Sequence, residues 1–275
     1  MNKKAVILGA ITFFMLSVRL VNMLNRGSAP VFQNTMVQTH AVTPQMPSSV
    51  HYGERALPIR HIVVHSFALP VPDMVRRLDD LKVSTHYLID TAGNVTHLVP
   101  DDKVAWHAGQ SFWRGETGLN ATSIGIELQN DTLGQTSFPS EQMAAFQILV
   151  KDLMYRYHID PKNIVAHSDI APTRKADVGH AFPWQYMARV GIGLWPNEDQ
   201  NPTSEIKDIK LLLKKIGYDT TDVDKALLAF ERHFMPELIK VDNDIPHLEE
   251  NLVGVKPVLN DAVIRRLNQV ATLYQ

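Results

Sequence analysis

The chain has 275 residues, of which 45% are hydrophobic and 20% charged, and a formal net charge of -2. That composition excludes a disordered or collagen-like chain, and the near-neutral balance offers no basic excess for a nucleic-acid backbone. Cysteine is absent from the sequence, so disulfide scaffolds, thiolate metal sites and cysteine nucleophiles are excluded, and any metal must be held by His, Asp or Glu.

The amino end opens with Lys3 and Lys4, an apolar run from Ala5 to Val18, then Arg19 and a further apolar group, Leu20, Val21, Met23 and Leu24. A basic start before a short apolar core reads as an export signal. The uninterrupted run is shorter than the roughly 20 residues of a membrane helix. Residues 1–26 are therefore expected to be either a cleaved signal or an anchor that tethers the chain through residues 5–24, with the remainder facing the periplasm or secreted. Residues 27–57 are rich in Ser, Thr, Pro, Gln and Asn without a sustained apolar period, and are expected to be a flexible linker.

From 58 to 196 strands and helices alternate. Residues 60–66 form a β-branched run, and Pro72 and Asp73 open a helix with Met74, Val75, Leu78 and Leu81 on one face. Two short runs, 86–90 and 95–99, flank Thr91-Ala92-Gly93-Asn94 as a hairpin. Residues 123–128 are another strand, Ser140 is placed as the cap of a long amphipathic helix, and 164–168 are a further strand. The expected fold is α/β, a central mixed sheet flanked by helices. After a polar boundary at 197–202, residues 203–275 are expected to form a separate small three-helix domain. Its first stripe is Ile206, Ile209, Leu212, Leu213 and Ile216, closed by Gly217, and its second helix opens on a capping-box-like Thr221-Asp222-Val223-Asp224.

Two strands end alike, Val63-Val64-His65-Ser66 and Val165-Ala166-His167-Ser168, and Asp177 follows His167 by ten residues. Two imidazoles and a carboxylate make three protein ligands, which leave a zinc ion one open position, as catalytic sites require. Spacing alone leaves a second reading open: two core histidines satisfied by hydrogen bonds. Glu127 lies in an apolar strand, either as a general base beside the metal or on a polar strand face. Lys175, two residues before Asp177, either offers its ammonium to a forming oxyanion or is a solvated loop charge.

Five ordered segments carry a resemblance. They are Ile62-Val63-Val64-His65-Ser66; Val83-Ser84-Thr85-His86-Tyr87-Leu88-Ile89-Asp90; Ala105-Trp106-His107-Ala108-Gly109; Ser123-Ile124-Gly125-Ile126-Glu127-Leu128-Gln129-Asn130; and the stretch from His167-Ser168-Asp169 through Arg174-Lys175-Ala176-Asp177 to Gly179. Together they resemble the zinc-dependent N-acetylmuramoyl-L-alanine amidases of the amidase-2 class, the Lys175-x-Asp177 ending looking most like the AmiD-type envelope amidases. The resemblance implies zinc held by His65, His167 and Asp177, acid/base work by Glu127, polarisation of the scissile carbonyl by Lys175, and a substrate groove lined by Trp106 and His107. It implies peptidoglycan or muropeptides as substrate. Phage relatives use a cysteine as third ligand, where this chain has Asp177, and a tyrosine where this chain has Thr85, so Glu127 is left to do that work. The helical stretch resembles a peptidoglycan-binding three-helix domain. The rival expectation is a catalytically inactive wall-binding protein on the same fold. Such proteins usually lack the third metal ligand, which is present here. No His-Glu-x-x-His or Gly-x-Ser-x-Gly motif points to another hydrolase class.

Overall fold

The computed structural model describes residues 51–197, 199, 206–240 and 256–275. The expected export signal and residues 27–50 of the expected linker lie outside the described residues. Among the described residues no helix is long and apolar enough to cross a membrane.

In chain order the elements are β1 (Tyr52–Glu54), β2 (His61–Phe67), α1 (Val71–Asp80), β3 (Tyr87–Ile89), β4 (Val95–His97), β5 (Lys103–Ala105), β6 (Phe112–Trp113), β7 (Glu116–Thr117), β8 (Ser123–Gln129), α2 (Ser140–Tyr157), β9 (Ile164–Ala166), α3 (His167–Ile170), α4 (Trp184–Arg189), α5 (Ile209–Ile216), α6 (Val223–Phe234) and α7 (Asp261–Leu273). The central sheet is five-stranded in the order β4-β3-β8-β2-β9. Its β3–β8, β8–β2 and β2–β9 pairs are parallel, and β4 adds antiparallel through the expected hairpin. All seven residues of β2 are buried, as expected of a parallel strand covered on both faces.

One face of the sheet, through Ile62, Val64, Ile124, Ile126 and Ile164, packs on α2 and on Phe182 and Trp184. The other face carries two separate clusters. Val63 and Val165 pack against α5, α6 and α7, together with Trp113 and Leu119. Phe67 and Leu88 pack against Leu78 of α1. Along β2 the residue between Val63 and Phe67 on that face is His65, so it lies where the two clusters leave a gap.

Several expectations are corrected. The C-terminal helices do not form a core of their own. Leu212, Leu213, Ile216, Leu227, Phe230 and Leu267 share one cluster with sheet residues Val63 and Val165. Helices of 8, 12 and 13 residues would have only a small core among themselves, and the sheet face needs a cover. Arg114 stitches the join: its guanidinium donates to the carbonyls of Ile216 (3.2 Å) and Tyr274 (3.0 Å), and its backbone N–H to that of Gly217 (2.9 Å). The end of the expected linker is ordered: β1 pairs with β5, and Arg55 donates to the carbonyls of Asp101, Lys103, Ala121 and Ser123. Ser140 is the first residue of α2, after Pro139, and makes no capping bond. Asp222, not Thr221, caps α6 by accepting from Lys225 N–H at 3.1 Å. The strand expected to reach 168 stops at Ala166, because the Asp169 carboxylate accepts the Ala166 N–H at 2.8 Å and turns the chain into α3.

Candidate active site

The parallel register assembles the site. Val64 pairs with Ala166, so the residues that follow them, His65 and His167, emerge side by side at the ends of their strands. The chain then returns from α3, and Ser168 N–H donates to the Asp177 carbonyl at 2.7 Å, which brings the Asp177 side chain to both rings. His65 Nδ1 and His167 Nδ1 are 2.9 Å apart, and Asp177 Oδ2 is 3.3 Å and 3.1 Å from them. These three are a group of His and acidic residues that could hold a metal ion.

The hydrogen bonds behind the rings settle which atoms face the centre. The Leu119 carbonyl can only accept, so the Ser123 hydroxyl donates to it at 2.6 Å. Ser123 Oγ then accepts from His107 Nε2–H at 3.2 Å. That leaves His107 Nδ1 as an acceptor for His65 Nε2–H at 3.0 Å. His65 Nδ1 is therefore left with its lone pair towards the centre. His167 repeats the arrangement: its Nε2–H donates to the Ala108 carbonyl at 3.3 Å, and its Nδ1 faces inward. Two lone pairs and a carboxylate oxygen converging at these distances repel one another unless a cation lies among them. Ligands of a tetrahedral zinc stand about 3.3 Å apart, so the donor set fits zinc in spacing, type and backing. Burial, reinforced by His167, holds the His65 pKa down at about 4, so its ring is neutral. Burial pushes the Asp177 carboxyl up, but positive charge and donated hydrogen bonds from His167 and His65 outweigh it and hold it well below the usual carboxylate range, a place that a bound cation would take. Neutral imidazole and ionised carboxylate are the protonation states of metal ligands.

Glu127 pairs in register with His65 across β8 and β2, on the same face and about 4.8 Å away along the backbone, and is only 8% exposed. A carboxylate buried on the strand face next to His65 is of the type that general acid–base chemistry uses. Lys175 is half-buried in the loop leading to Asp177, and its positive charge helps to depress the His65 pKa. Trp106 is 41% exposed at the rim, beside β1 and β5. His107 is half-buried, and both its ring nitrogens are engaged, Nδ1 by His65 and Nε2 by Ser123, so it also backs one of the inward-facing histidines. Thr85 is wholly buried, away from any tyrosine-like role.

Comparison with known proteins decides the family. A family model described as N-acetylmuramoyl-L-alanine amidase matches residues 55–180. The amidase AmiD of Escherichia coli K12 is 38% identical over 216 residues, covering 68% of this chain and 78% of that protein. The chain belongs to the N-acetylmuramoyl-L-alanine amidases. The 1,6-anhydro-N-acetylmuramyl-L-alanine amidase AmpD of Escherichia coli is 46% identical over 105 residues, 38% of this chain and 56% of that one. Among solved structures, Escherichia coli AmiD in complex with anhydro-N-acetylmuramic acid-L-Ala-D-gamma-Glu-L-Lys superposes with a TM-score of 0.64 at 31% identity, covering 82% of this chain and 98% of that one. Pseudomonas aeruginosa AmpDh3 gives 0.64 at 28%, covering 82% and 95%.

Sequence reasoning assigned no role to several residues that shape this amidase's site. Asn120 Oδ1 accepts the backbone N–H groups of His107 (3.0 Å) and Ala108 (2.7 Å). Arg174 donates to the carbonyls of Ala108 (2.9 Å) and Gln110 (2.6 Å), holding the same loop from the other side. Gly125 leaves room for the His107 ring, since a Cβ there would lie 2.5 Å from His107 Cγ. A glycine inside a strand is the sequence signal for such a close approach; Asn120, in a short 3-10 turn, and Arg174, in a loop, give none.

Proposed function

We propose that this amidase holds zinc with His65, His167 and Asp177 and hydrolyses the amide between the lactyl group of N-acetylmuramic acid and L-alanine, in peptidoglycan or muropeptides. The observation that carries the metal reading is the donor chain from His65 through His107 and Ser123 to the Leu119 carbonyl, which leaves the His65 lone pair aimed at His167 and Asp177. A bound zinc ion supplies Lewis acidity, polarising a carbonyl oxygen and acidifying water. Glu127 takes the proton of the attacking water and later delivers it to the departing L-alanine nitrogen. Lys175 directs its ammonium at the carbonyl oxygen as negative charge develops there, an interaction whose loss typically costs about 100- to 1000-fold in rate. Trp106 presents an exposed flat face at the rim for sugar or peptide. The choice of substrate is supported by AmiD solved with an anhydro-muramyl tripeptide and AmpDh3 solved with anhydromuramic pentapeptide. Residues 1–26 act as an export signal, cleaved or kept as a tether, that delivers the enzyme to the periplasm. Residues 203–275 contact the wall, while α5, α6 and α7 also cover the sheet.

The test is digestion of purified sacculi, and separately of soluble anhydro-muropeptides, read by mass spectrometry with chelator and with zinc restored. Stem peptides beginning at L-alanine, lost with chelator and regained with zinc, are the expected product. A folded, zinc-loaded chain that binds sacculi and releases nothing from either substrate refutes the mechanism and leaves the inactive binding protein.

A further inference from the structure

The turn that carries His167 is α3, a helix of four residues. A single turn has no stability of its own, so something must hold it. Asp169 does so from the inside. Its side chain is wholly buried, and its carboxylate accepts three bonds: Ala166 N–H on Oδ2 at 2.8 Å, His233 Nδ1–H on Oδ2 at 2.7 Å, and the Tyr218 hydroxyl on Oδ1 at 2.8 Å. The first comes from the turn itself. The other two come from the C-terminal helices, Tyr218 just beyond α5 and His233 near the end of α6.

Both donors are rigid. The His233 ring is stacked between Trp184, at 3.9 Å, and Phe234, at 4.0 Å. The Tyr218 ring stands edge-on to Trp113 at 5.2 Å and is 1% exposed. A buried carboxylate without partners is costly, and here the C-terminal helices supply two of its three. Arg232, buried beside His233 on α6, adds favourable positive charge towards Asp169 and Asp177.

We infer that Tyr218 and His233 are positioning residues for the metal site: through Asp169 they fix the α3 turn and with it the direction of His167 Nδ1. The inference rests on the reading of His65, His167 and Asp177 as metal ligands. It makes the C-terminal helices part of the hydrolytic site, whatever else they contact. Losing both donors leaves Asp169 with its bond to Ala166 alone. The turn then relaxes, and the His167 ring no longer meets His65 and Asp177 at the same point. Partners behind a metal ligand are typically worth about 10- to 100-fold in metal affinity.

The experiment uses the full chain. Zinc dissociation constants are measured by chelator competition, and the cobalt(II)-substituted protein is examined by visible absorption, which reports coordination geometry. The variants are Tyr218→Phe, His233→Leu and the pair together, with His233→Asn as the conservative rescue, since an asparagine amide N–H can stand where Nδ1–H was. Val270→Ala is the control, a buried residue of α7 in the same helical cluster. The double variant is expected to lose about 10- to 100-fold in zinc affinity with a changed cobalt spectrum. His233→Asn should recover most of the His233→Leu loss, and Val270→Ala should lower the melting temperature without moving zinc affinity. Where the double variant does not fold, Tyr218→Phe alone decides on the same two readouts. Wild-type zinc uptake with unmoved variants overturns the inference alone, as does equal weakening by Val270→Ala. A wild-type chain that takes up no zinc overturns the metal reading beneath it.

Discussion

Gly125→Ala should weaken metal binding although no metal ligand is altered. An added Cβ would lie 2.5 Å from Cγ, 2.7 Å from Cδ2 and 2.8 Å from Nδ1 of His107. Carbon atoms rest about 3.5–4.0 Å apart, so the His107 ring must retreat by about 1 Å. Its bonds to His65 Nε2 and Ser123 Oγ are already 3.0 and 3.2 Å long. A displacement of that size takes one or both past the roughly 3.2 Å limit of a good N–H bond. His65 Nε2–H then loses its acceptor in a site where the ring is 2% exposed. An unsatisfied buried donor costs about 1–3 kcal/mol, which at about 1.4 kcal/mol per tenfold is roughly a 5- to 140-fold loss of zinc affinity. The assay is chelator competition on four proteins: wild type, Gly125→Ala, His107→Ala and the double variant. If the two act through one bond, Gly125→Ala costs nothing further once His107 is gone. Wild-type affinity in Gly125→Ala, or an equal cost in both backgrounds, refutes the reasoning.

Glu127→Gln should keep zinc stoichiometry and lower kcat by about 10²- to 10⁴-fold, the usual worth of a positioned acid/base; turnover within tenfold of wild type removes Glu127 from proton transfer. Lys175→Ala should lower kcat by about 100- to 1000-fold with little change in KM, read in steady-state kinetics on a muramyl tripeptide; a rise in KM alone would make Lys175 a ground-state binding residue. Leu213→Ala, at a wholly buried position in the cluster shared with Val63 and Val165, should cost about 2–5 kcal/mol and lower one common transition. Two separated transitions by circular dichroism and tryptophan fluorescence would contradict the shared core. Burial raises the Glu231 carboxyl to about 7 from its ordinary 4.5, against the bond it accepts from Val258 N–H. The folded state therefore holds a proton that the unfolded state has released between about pH 4.5 and 7, and stability falls as pH rises through that window. Glu231→Gln should abolish that fall and raise the melting temperature at pH 8 more than at pH 5; equal shifts at both would refute it.

The elements that were legible are those whose signals are local. β-branched runs at 60–66 and 123–128, the Thr91-Ala92-Gly93-Asn94 turn and the Gly217 cap each appear as expected. His65 and His167 were legible as a pair because both follow buried strand residues, and β2 and β9 turn out to be neighbours. What stayed hidden depends on partners distant in sequence. Nothing near Tyr218 or His233 announces Asp169, which is 49 and 64 residues away. The apolar stripe of α5 looks the same whether it meets α7 or the sheet, so the helical region read as a separate domain. The part that His107 plays behind His65 stayed hidden too, because a histidine in sequence carries no mark of which ring nitrogen is already taken.

The acceptor chain explains why so much of the site is built from residues that never meet substrate. A histidine ligand has two nitrogens and one proton, and only an acceptor behind one nitrogen assigns the proton away from the other. For His65 that assignment runs back through His107 and Ser123 to a carbonyl that cannot donate. For His167 it ends at the Ala108 carbonyl, which Arg174 also uses and whose own N–H is held by Asn120. Both lines terminate on backbone at fixed places, Leu119 before β8 and Ala108 after β5. The sheet register sets where the rings emerge, and these carbonyls set how the rings are protonated. Neither is sufficient alone. A strand-end histidine pair without those acceptors could share a proton between its facing nitrogens, and the pocket would then hold an imidazolium against Asp177 in place of a metal.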